Sequence, residues 1–572
     1  MKISLARVNF STDLLQKIYT AGLCILVVAL CYYQIINGQY YFERAKNNYL
    51  RVIPSRSMRG AIFDRKRICL AYDKATFNIS ILPYQIRYKK DSLFYALSKF
   101  LGCNINLIYK NYAHNLGGQF SPVDIIVDID KPTALRLKEN FGEDILINHQ
   151  PQRYYAYPYQ CAHLLGYVKT AASSSKIMEQ YGYSPSERVG FSGIEQYYDS
   201  YLKGNDGGDL IEVDVTGKMV GFLGKNIPKR GSDIELTIDI RMQEIAQTSM
   251  EGKKGVLILM NSRSGEILTA YSSPSFDPNN FAKGLGVREV LNDKNSPLMN
   301  RITQATYPIG SAFKPILGAG ALAEGKISPS TTFVCNGELK VGPAYFRCWS
   351  THGPQDLYQA FAHSCNVYFY QVGLLLGPEE ISRWAKKFSL DVPTHIDLPS
   401  EKRGFVPSLK WKQRTLKASW FAGDTLNFAI GQGFMVTTPI AIMSAINVFA
   451  TDGYLVRPYI LKKIGVVNAA ILNKTYLDIP DKALQIVKKG LREVVRSESG
   501  TAHILEKLNL GIAGKTGTAQ TSGKSHGWFV GFFTYKGETY TICALAEHGD
   551  SSYEAVKMAY RLLKDTTEAD LF

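Results

Sequence analysis

Three short strings occur in fixed order along the chain: Ser311-Ala-Phe-Lys314, Ser364-Cys365-Asn366 and Lys515-Thr516-Gly517-Thr518. Their side chains are those that acyl transfer through a serine requires. Ser311 is a nucleophile and Lys314 a base three residues away. Ser364 and Asn366 add a second hydroxyl and an amide, and Lys515 a cation on an extended segment. A lone Ser-x-x-Lys arises often by chance, as a surface serine and lysine at the start of a helix. The ordered trio carries the reading.

Each string sits in a setting that suits its task. Tyr307-Pro-Ile-Gly310 leads into Ser311 and predicts a turn that delivers the serine to a helix N-terminus. There, Lys314 at i+3 shares a face with Ser311. Buried near the charge of Lys515, its amine has a lowered pKa and can accept the serine proton. The helix N-terminus also brings a backbone N–H to the developing oxyanion. Ser364 is placed to relay a proton to a leaving amine and Asn366 to hold a substrate backbone; a helix cap or buried hydrogen bonding is the plainer alternative. The small residues Gly511-Ile-Ala-Gly514 before Lys515 allow an extended ligand to pair with a strand edge. On that strand Lys515 meets a carboxylate, Thr516 and Gly517 line the ligand, and the Thr518 N–H is the second oxyanion donor. The plainer alternative is a polar hairpin strand.

The scaffold for these strings reads as α+β. Gly255-Val-Leu-Ile-Leu-Met260 and Glu266-Ile-Leu-Thr-Ala270, split by Asn261-Ser-Arg-Ser-Gly265, predict a hairpin. Gly527–Phe533 and Thr539–Leu545 repeat the strand habit, and a helix runs to Leu563. One antiparallel sheet built from both ends of the domain, flanked by helices, is the expectation. Upstream, Phe77–Leu82, Val123–Ile129 and Leu210–Val215 are strand-like. Asp91–Leu101 and Gln196–Leu202 are helical. The loop-like Lys225–Gly231 marks a boundary, so 37–230 and 231–572 are read as two domains.

The chain has 572 residues, 45% hydrophobic and 12% aromatic, with net charge +16. That is long enough for two or three cored domains and too apolar for disorder. The basic balance suits an anionic membrane or polymer. No arginine-rich run or nucleic-acid motif accompanies it, so nucleic acid is not expected as a partner. No charge lies between Lys17 and Glu43. Residues 18–36 at ~1.5 Å each cover the ~30 Å hydrocarbon core. A cleaved signal peptide competes, but Tyr32-Tyr33-Gln34 is not a small-residue cleavage site; an uncleaved anchor is favoured. Lys2, Arg7 and Lys17 place residues 1–17 in the cytoplasm and the rest across the membrane.

These strings, with others, resemble the class B penicillin-binding proteins, the peptidoglycan D,D-transpeptidases. The further matches are Arg59-Gly60…Asp64-Arg65, Gly193-Ile-Glu195, Leu236-Thr-Ile-Asp239, Ser273-Pro-Ser-Phe-Asp-Pro-Asn279, Pro297–Arg301, Ile430-Gly-Gln-Gly433, Thr438-Pro439 and Trp528-Phe-Val-Gly531. Several resemble the elongation type, penicillin-binding protein 2. Ile309, Ala312 and Asn366 depart from that type's usual Pro, Thr or Val, and Asp; none removes a catalytic group. The resemblance implies a penicillin-binding, serine β-lactamase-like transpeptidase domain on an elongated α+β pedestal, with one transmembrane helix and no glycosyltransferase. It implies that Ser311 attacks the D-Ala-D-Ala of a stem peptide, that a neighbouring stem amine resolves the acyl-enzyme, and that β-lactams acylate the same serine. No cofactor is required for this chemistry. The implied partners are a SEDS-type glycan polymerase and elongation-complex proteins, with the catalytic domain in the periplasm at the inner membrane. The competing readings are a septal transpeptidase, a D,D-carboxypeptidase, a β-lactamase, or a non-enzymatic scaffold that activates a polymerase.

Cys335, Cys348, His352 and Cys365 are spaced 13, 4 and 13 apart. Three thiolates and an imidazole suit a closed tetrahedral zinc site. Some elongation-type relatives resemble this in holding zinc with a matching His and Cys plus two Asp, which Cys335 and Cys348 would replace. A Cys335–Cys348 disulfide or free thiols are the alternatives. His526, shortly after the third string, either lines the cleft or makes a structural hydrogen bond.

Overall fold

The computed structural model describes residues 3–116, 122–170, 187–214, 219–283, 286–468 and 473–572. Lys2 and Val215, used in the sequence reading, lie outside the described residues. The chain forms two compact units that it enters more than once: residues 1–58, 75–152 and 204–230 in one, and 59–74, 153–203 and 231–572 in the other. The last crossing falls between Arg230 and Gly231.

The larger unit is built on a five-stranded antiparallel sheet. Its order is Ile267–Ser273, Gly255–Asn261, Glu538–Ala546, His526–Tyr535, Ala513–Ala519. The expected hairpin pairs Gly255 with Ser273 and Leu257 with Tyr271. The C-terminal strand closes against it through Gly255–Ala546 and Leu257–Ala544. Both ends of the domain thus contribute to one sheet. Residues 255–260 are buried without alternation, the pattern of a strand covered on both faces. Helices Ile240–Ser249 and Ser552–Glu568 pack together over the sheet, and Pro439–Ala450 packs on Glu538–Ala546 and His526–Tyr535. Asn447 on that last helix donates to the Ser262 carbonyl at 3.0 Å and accepts from Thr541 Oγ1 at 2.6 Å. Its buried amide is therefore satisfied at both ends. Among the described residues Ala513–Ala519 pairs only with His526–Tyr535, so its other edge carries no strand.

The same unit contains a buried ion network that joins distant segments. Arg59 donates to Glu195 Oε2 at 3.1 and 2.7 Å and to Asp199 at 2.7 Å. Arg153 reaches Glu195 Oε1 at 2.5 Å and Asp73 at 3.4 Å, and Arg188 reaches Asp73 at 3.1 Å. Three cations face three carboxylates. Burial alone would lower the Arg59 pKa, but Glu195 and Asp199 outweigh it and raise it. Burial would raise Asp73, but Arg153 and Arg188 hold it below the usual carboxylate range. The Arg59-Gly60 and Gly193-Ile-Glu195 strings are the two halves of this network. The helix read as Gln196–Leu202 starts earlier and breaks at Tyr198, giving Gly193–Tyr197 and Asp199–Leu202; Asp199 accepts from Arg59 and from the Gly190 N–H.

In the smaller unit Phe77 pairs with Ile129 and Ile81 with Val123. Helices Lys90–Leu101, Ile105–Asn115 and Lys131–Phe141 accompany them. Its core includes Phe94, Leu97, Ile108, Ile125 and Leu137. A three-stranded sheet joins Leu50–Ser55, Gly207–Val213 and Met219–Asn226. Thr12–Ile36 is a helix long and apolar enough to cross a membrane. Its large apolar side chains, among them Leu23, Leu26, Val28 and Ile35, are exposed.

Candidate active site

The turn before Ser311 is wedged between two other segments. Gly310 has φ +55°, and its N–H donates to the Gly431 carbonyl at 2.9 Å. A Cβ on Gly310 would lie 2.7 Å from the Thr518 carbonyl, and one on Gly517 would lie 2.7 Å from the Ile309 carbonyl. The Trp528 indole donates to the Pro308 carbonyl at 3.1 Å. The Ser311 turn and the Lys515–Thr518 strand therefore touch backbone to backbone, which only glycine permits at both contacts. The expected helix start is refined: Gly310–Phe313 is a 3-10 turn and the α-helix begins at Lys314.

Lys314 is fully buried. Its amine lies 2.8 Å from the Ser364 carbonyl, 2.8 Å from Asn366 Oδ1 and 3.3 Å from Ser364 Oγ. Burial lowers its pKa to about 8, against an upward pull from the Cys348 and Cys365 sulfurs. A neutral amine has two N–H bonds and one lone pair. The two acceptors at 2.8 Å use both N–H bonds, so the lone pair is free to take a hydroxyl proton. Among the described hydrogen bonds none joins Lys314 to Ser311. The first two strings are thus coupled through the amine and the second string.

Ser364 has φ +50°, a left-handed conformation uncommon for serine. That geometry turns its carbonyl and hydroxyl toward Lys314. Cys365 caps the helix Asn366–Leu376, its sulfur accepting from the Tyr368 N–H at 3.5 Å. Asn366 opens the helix, with Oδ1 on Lys314 and Nδ2 3.4 Å from the Arg347 carbonyl. The second string therefore combines a helix cap with the chemical placement.

Lys515 is also fully buried. Burial, then the charge of Lys314, holds its pKa well below the ordinary value. Its amine donates to the Thr516 carbonyl at 3.2 Å, and Thr516 Oγ1 lies 2.6 Å from Thr501 Oγ1. Thr516 is buried beneath the strand, whereas Thr518 is exposed at its edge. Gly431 belongs to the Ile430-Gly-Gln-Gly433 string, whereas Thr501 and the Arg347 carbonyl were not among the residues singled out from the sequence. Ser499-Gly500-Thr501 carries no distinctive spacing, and a carbonyl has no sequence signal at all. His526 is buried and accepts from the His548 N–H at 3.0 Å, the structural alternative of the two weighed.

The ligand atoms of Cys335, Cys348, His352 and Cys365 all lie within 4.8 Å of one another. His352 Nδ1 is 3.5 Å from Cys335 Sγ and 3.6 Å from Cys348 Sγ. A tetrahedral ion with Zn–S of ~2.3 Å and Zn–N of ~2.05 Å separates S and N by about 3.6 Å. The set fits zinc. Cys335 and Cys348 are unbonded in this structure, each with its sulfur near the imidazole. The Asn366 N–H lies 3.2 Å from Cys348 Sγ, one residue from the catalytic-string cysteine.

Residues 255–568 match the penicillin-binding protein transpeptidase domain, and 54–236 the penicillin-binding protein dimerisation domain. The chain is 30% identical to the peptidoglycan D,D-transpeptidase MrdA of Salmonella typhimurium, over 92% of this chain and 90% of that one. It superposes with a TM-score of 0.80 on the penicillin-binding protein PBP2 of Helicobacter pylori solved in complex with MreC. That match is at 28% identity and covers 92% of this chain and all of the other. A chain from a peptidoglycan synthase complex, described as coordinating polymerization and crosslinking, matches at 27% identity and TM-score 0.72 over 98% of both. The chain belongs to the penicillin-binding protein transpeptidase family.

Proposed function

We propose that this chain is an elongation-type peptidoglycan D,D-transpeptidase, anchored in the inner membrane with its catalytic domain in the periplasm. The observation that carries the chemistry is the buried Lys314 amine. It is held by Ser364 and Asn366 at 2.8 Å, lowered to about 8, and lies within electrostatic reach of the buried Lys515. Residues 37–230 are read as the pedestal and 231–572 as the transpeptidase domain, although 59–74 and 153–203 fold into the same compact unit as 231–572.

In the forward step a D-Ala-D-Ala stem lies along the open edge of Ala513–Ala519, over Gly517, with its terminal carboxylate near Lys515 and Thr518. Thr516 supports Lys515 from below. Neutral Lys314 takes the Ser311 Oγ proton as Oγ attacks the penultimate carbonyl. The Ser311 and Thr518 N–H groups receive the oxyanion. Ser364 passes the proton to the departing D-Ala nitrogen, the C–N bond breaks, and an ester remains on Ser311. A stem amine then attacks that ester, its proton returns through Ser364 to Ser311 Oγ, and a crosslink forms. A β-lactam follows only the first half. Asn366 fixes both Lys314 and the substrate amide.

Cys335, Cys348, His352 and Cys365 would hold a structural zinc, which would supply no step of the reaction and would brace Asn366 through the contact of its N–H with Cys348 Sγ. Metal analysis of the purified chain, with thiol counting, tests this: zinc near one per chain supports it, and absent zinc with a Cys335–Cys348 disulfide refutes it. The H. pylori relative's complex with MreC and the synthase-complex relative support elongation-complex and polymerase partners for this chain. Labelling with a fluorescent penicillin tests the catalytic reading. The wild type labels and Ser311→Ala does not; label on Ser311→Ala would sink it. Dimeric crosslinked product in place of free hydrolysed stem separates transpeptidation from carboxypeptidation.

A further inference from the structure

The hairpin between Cys335 and Cys348 has two unlike faces. Glu338–Val341 pairs with Ala344–Arg347 in the register Glu338–Arg347, Leu339–Phe346, Lys340–Tyr345. Leu339, Val341 and Phe346 pack inward against the main core. Strand alternation turns Lys340, Tyr345 and Arg347 outward, with Glu338 opposite Arg347. All four are exposed, Tyr345 by 55%. The Lys340 amine sits 5.3 Å from the Tyr345 ring centre. No Glu338–Arg347 ion pair forms among the described residues. Trp349, just beyond, is 64% exposed, yet its indole N–H is fixed on the His363 carbonyl at 2.9 Å and its ring lies edge-on to His352 at 5.0 Å.

This outer face is tied to the reacting groups. The Arg347 carbonyl accepts from Asn366 Nδ2 at 3.4 Å and from the Tyr370 hydroxyl at 3.3 Å, and Asn366 holds Lys314. The side chain of Arg347 therefore projects to solvent from the residue that braces the second string. The fixed Trp349 indole leaves 64% of its surface exposed, and the two cations lie on the outer face with no carboxylate partner among the described residues. Their chemistry suits a ligand with a carboxylate and an apolar face.

We propose that Lys340, Tyr345, Arg347 and Trp349 form the subsite for the second substrate, the amine-bearing acceptor peptide, and recognise its free carboxylate. The assignment rests on the transpeptidase reading and deepens it. In an acyl exchange the attacking amine retraces the path of the departing one, because the two half-reactions pass through the same tetrahedral geometry. The departing nitrogen leaves past Ser364, so the acceptor arrives past Ser364 and Asn366, where this hairpin is rooted. The acceptor carboxylate meets Arg347 and Lys340, its apolar face lies on Trp349, and its amine is delivered to the ester of Ser311. The C–O bond breaks as the C–N bond forms, and the amine proton ends on Ser311 Oγ.

The test uses the full chain in detergent and a thioester analogue of the D-Ala-D-Ala donor. Two acceptors are compared, a tripeptide amine with a free carboxylate beside the amine and the same peptide as its amide. The wild type is expected to transfer to the carboxylate form at least tenfold better, as kcat/KM. In Lys340→Ala/Arg347→Ala this preference falls to within twofold, while the thioester is still consumed. Arg347→Lys retains part of the preference, and Trp349→Ala raises KM for both acceptors several-fold. Penicillin labelling of each variant reports an intact donor site. A double variant that keeps the full preference, or a wild type that shows none, overturns the subsite. A wild type that neither labels nor consumes the thioester overturns the transpeptidase reading itself, and the subsite with it.

Discussion

At the residue scale the chemistry turns on two buried amines. Lys314 and Lys515 are both fully buried and both lowered, Lys314 to about 8. Burial disfavours each charged form, and the charge of Lys314 further disfavours that of Lys515. The active form of Lys314 is the neutral one. Acylation by a fluorescent penicillin is therefore expected to rise about tenfold per pH unit below pH ~8 and to level above it. Second-order labelling rates between pH 6 and 10 check this; a rate that is flat across pH 8 would remove Lys314 as base. Lys314→Ala is expected to lower acylation by about 10²–10⁴. The trio was legible because a nucleophile and a base impose fixed residue types at short spacing. What was not legible is that Lys314 rests on the second string. That contact depends on the left-handed Ser364, φ +50°, a backbone state that a serine does not announce.

At the element scale the site is made by contact between a turn and a strand. The Ser311 turn meets Thr518 across Gly310, and Gly517 meets Ile309, each with a virtual Cβ at 2.7 Å from a carbonyl oxygen. Gly517→Ala pushes the strand from the turn. About 10²-fold loss of acylation is expected, since a misplacement of about 1 Å costs that much, with thermal unfolding little changed. A larger fall in stability than in labelling would show the contact to be mainly architectural. The buried ion network behaves oppositely. Glu195 touches Arg59 and Arg153, so Glu195→Gln leaves buried cations under-compensated. A loss of about 3–5 kcal/mol in denaturant unfolding is expected. Asp73, lowered in the fold, stabilises at neutral pH and gives up that contribution as pH falls through its folded pKa. The central strands were legible because residues 255–260 are an unbroken apolar run with turn residues after them. The Gly193–Tyr197 helix start was not, because the driving interaction is Arg59, distant in sequence.

At the scale of the whole molecule the apolar helix Thr12–Ile36 is the feature that bears on where the site works. Thr12–Ile36 spans 25 residues, about 37 Å of helix at ~1.5 Å per residue, against a hydrocarbon core of ~30 Å. Leu23, Leu26, Val28 and Ile35 each expose half or more of their surface; at roughly 25 cal/mol per Å2 of apolar area that is costly in water and favourable in lipid. The only ion pair on this helix among the described residues is Lys17–Asp13 at 3.6 Å, near its polar start. Tyr32 and Tyr33 stack edge-on at 5.4 Å at the other end, where aromatic rings suit the interface. A retained anchor and a cleaved leader make different predictions. If the helix is an anchor, the mature chain keeps its N-terminus, resists extraction by alkaline carbonate and dissolves in detergent. External protease acting on spheroplasts then removes the penicillin-labelled domain and leaves the N-terminal helix behind. Intact mass measurement of the detergent-purified chain settles the choice: loss of about 30 residues with recovery in the soluble fraction would replace the anchor by a leader. The retained form is expected, because the residues after the apolar run are Tyr32-Tyr33-Gln34 and not the small side chains that a leader peptidase admits.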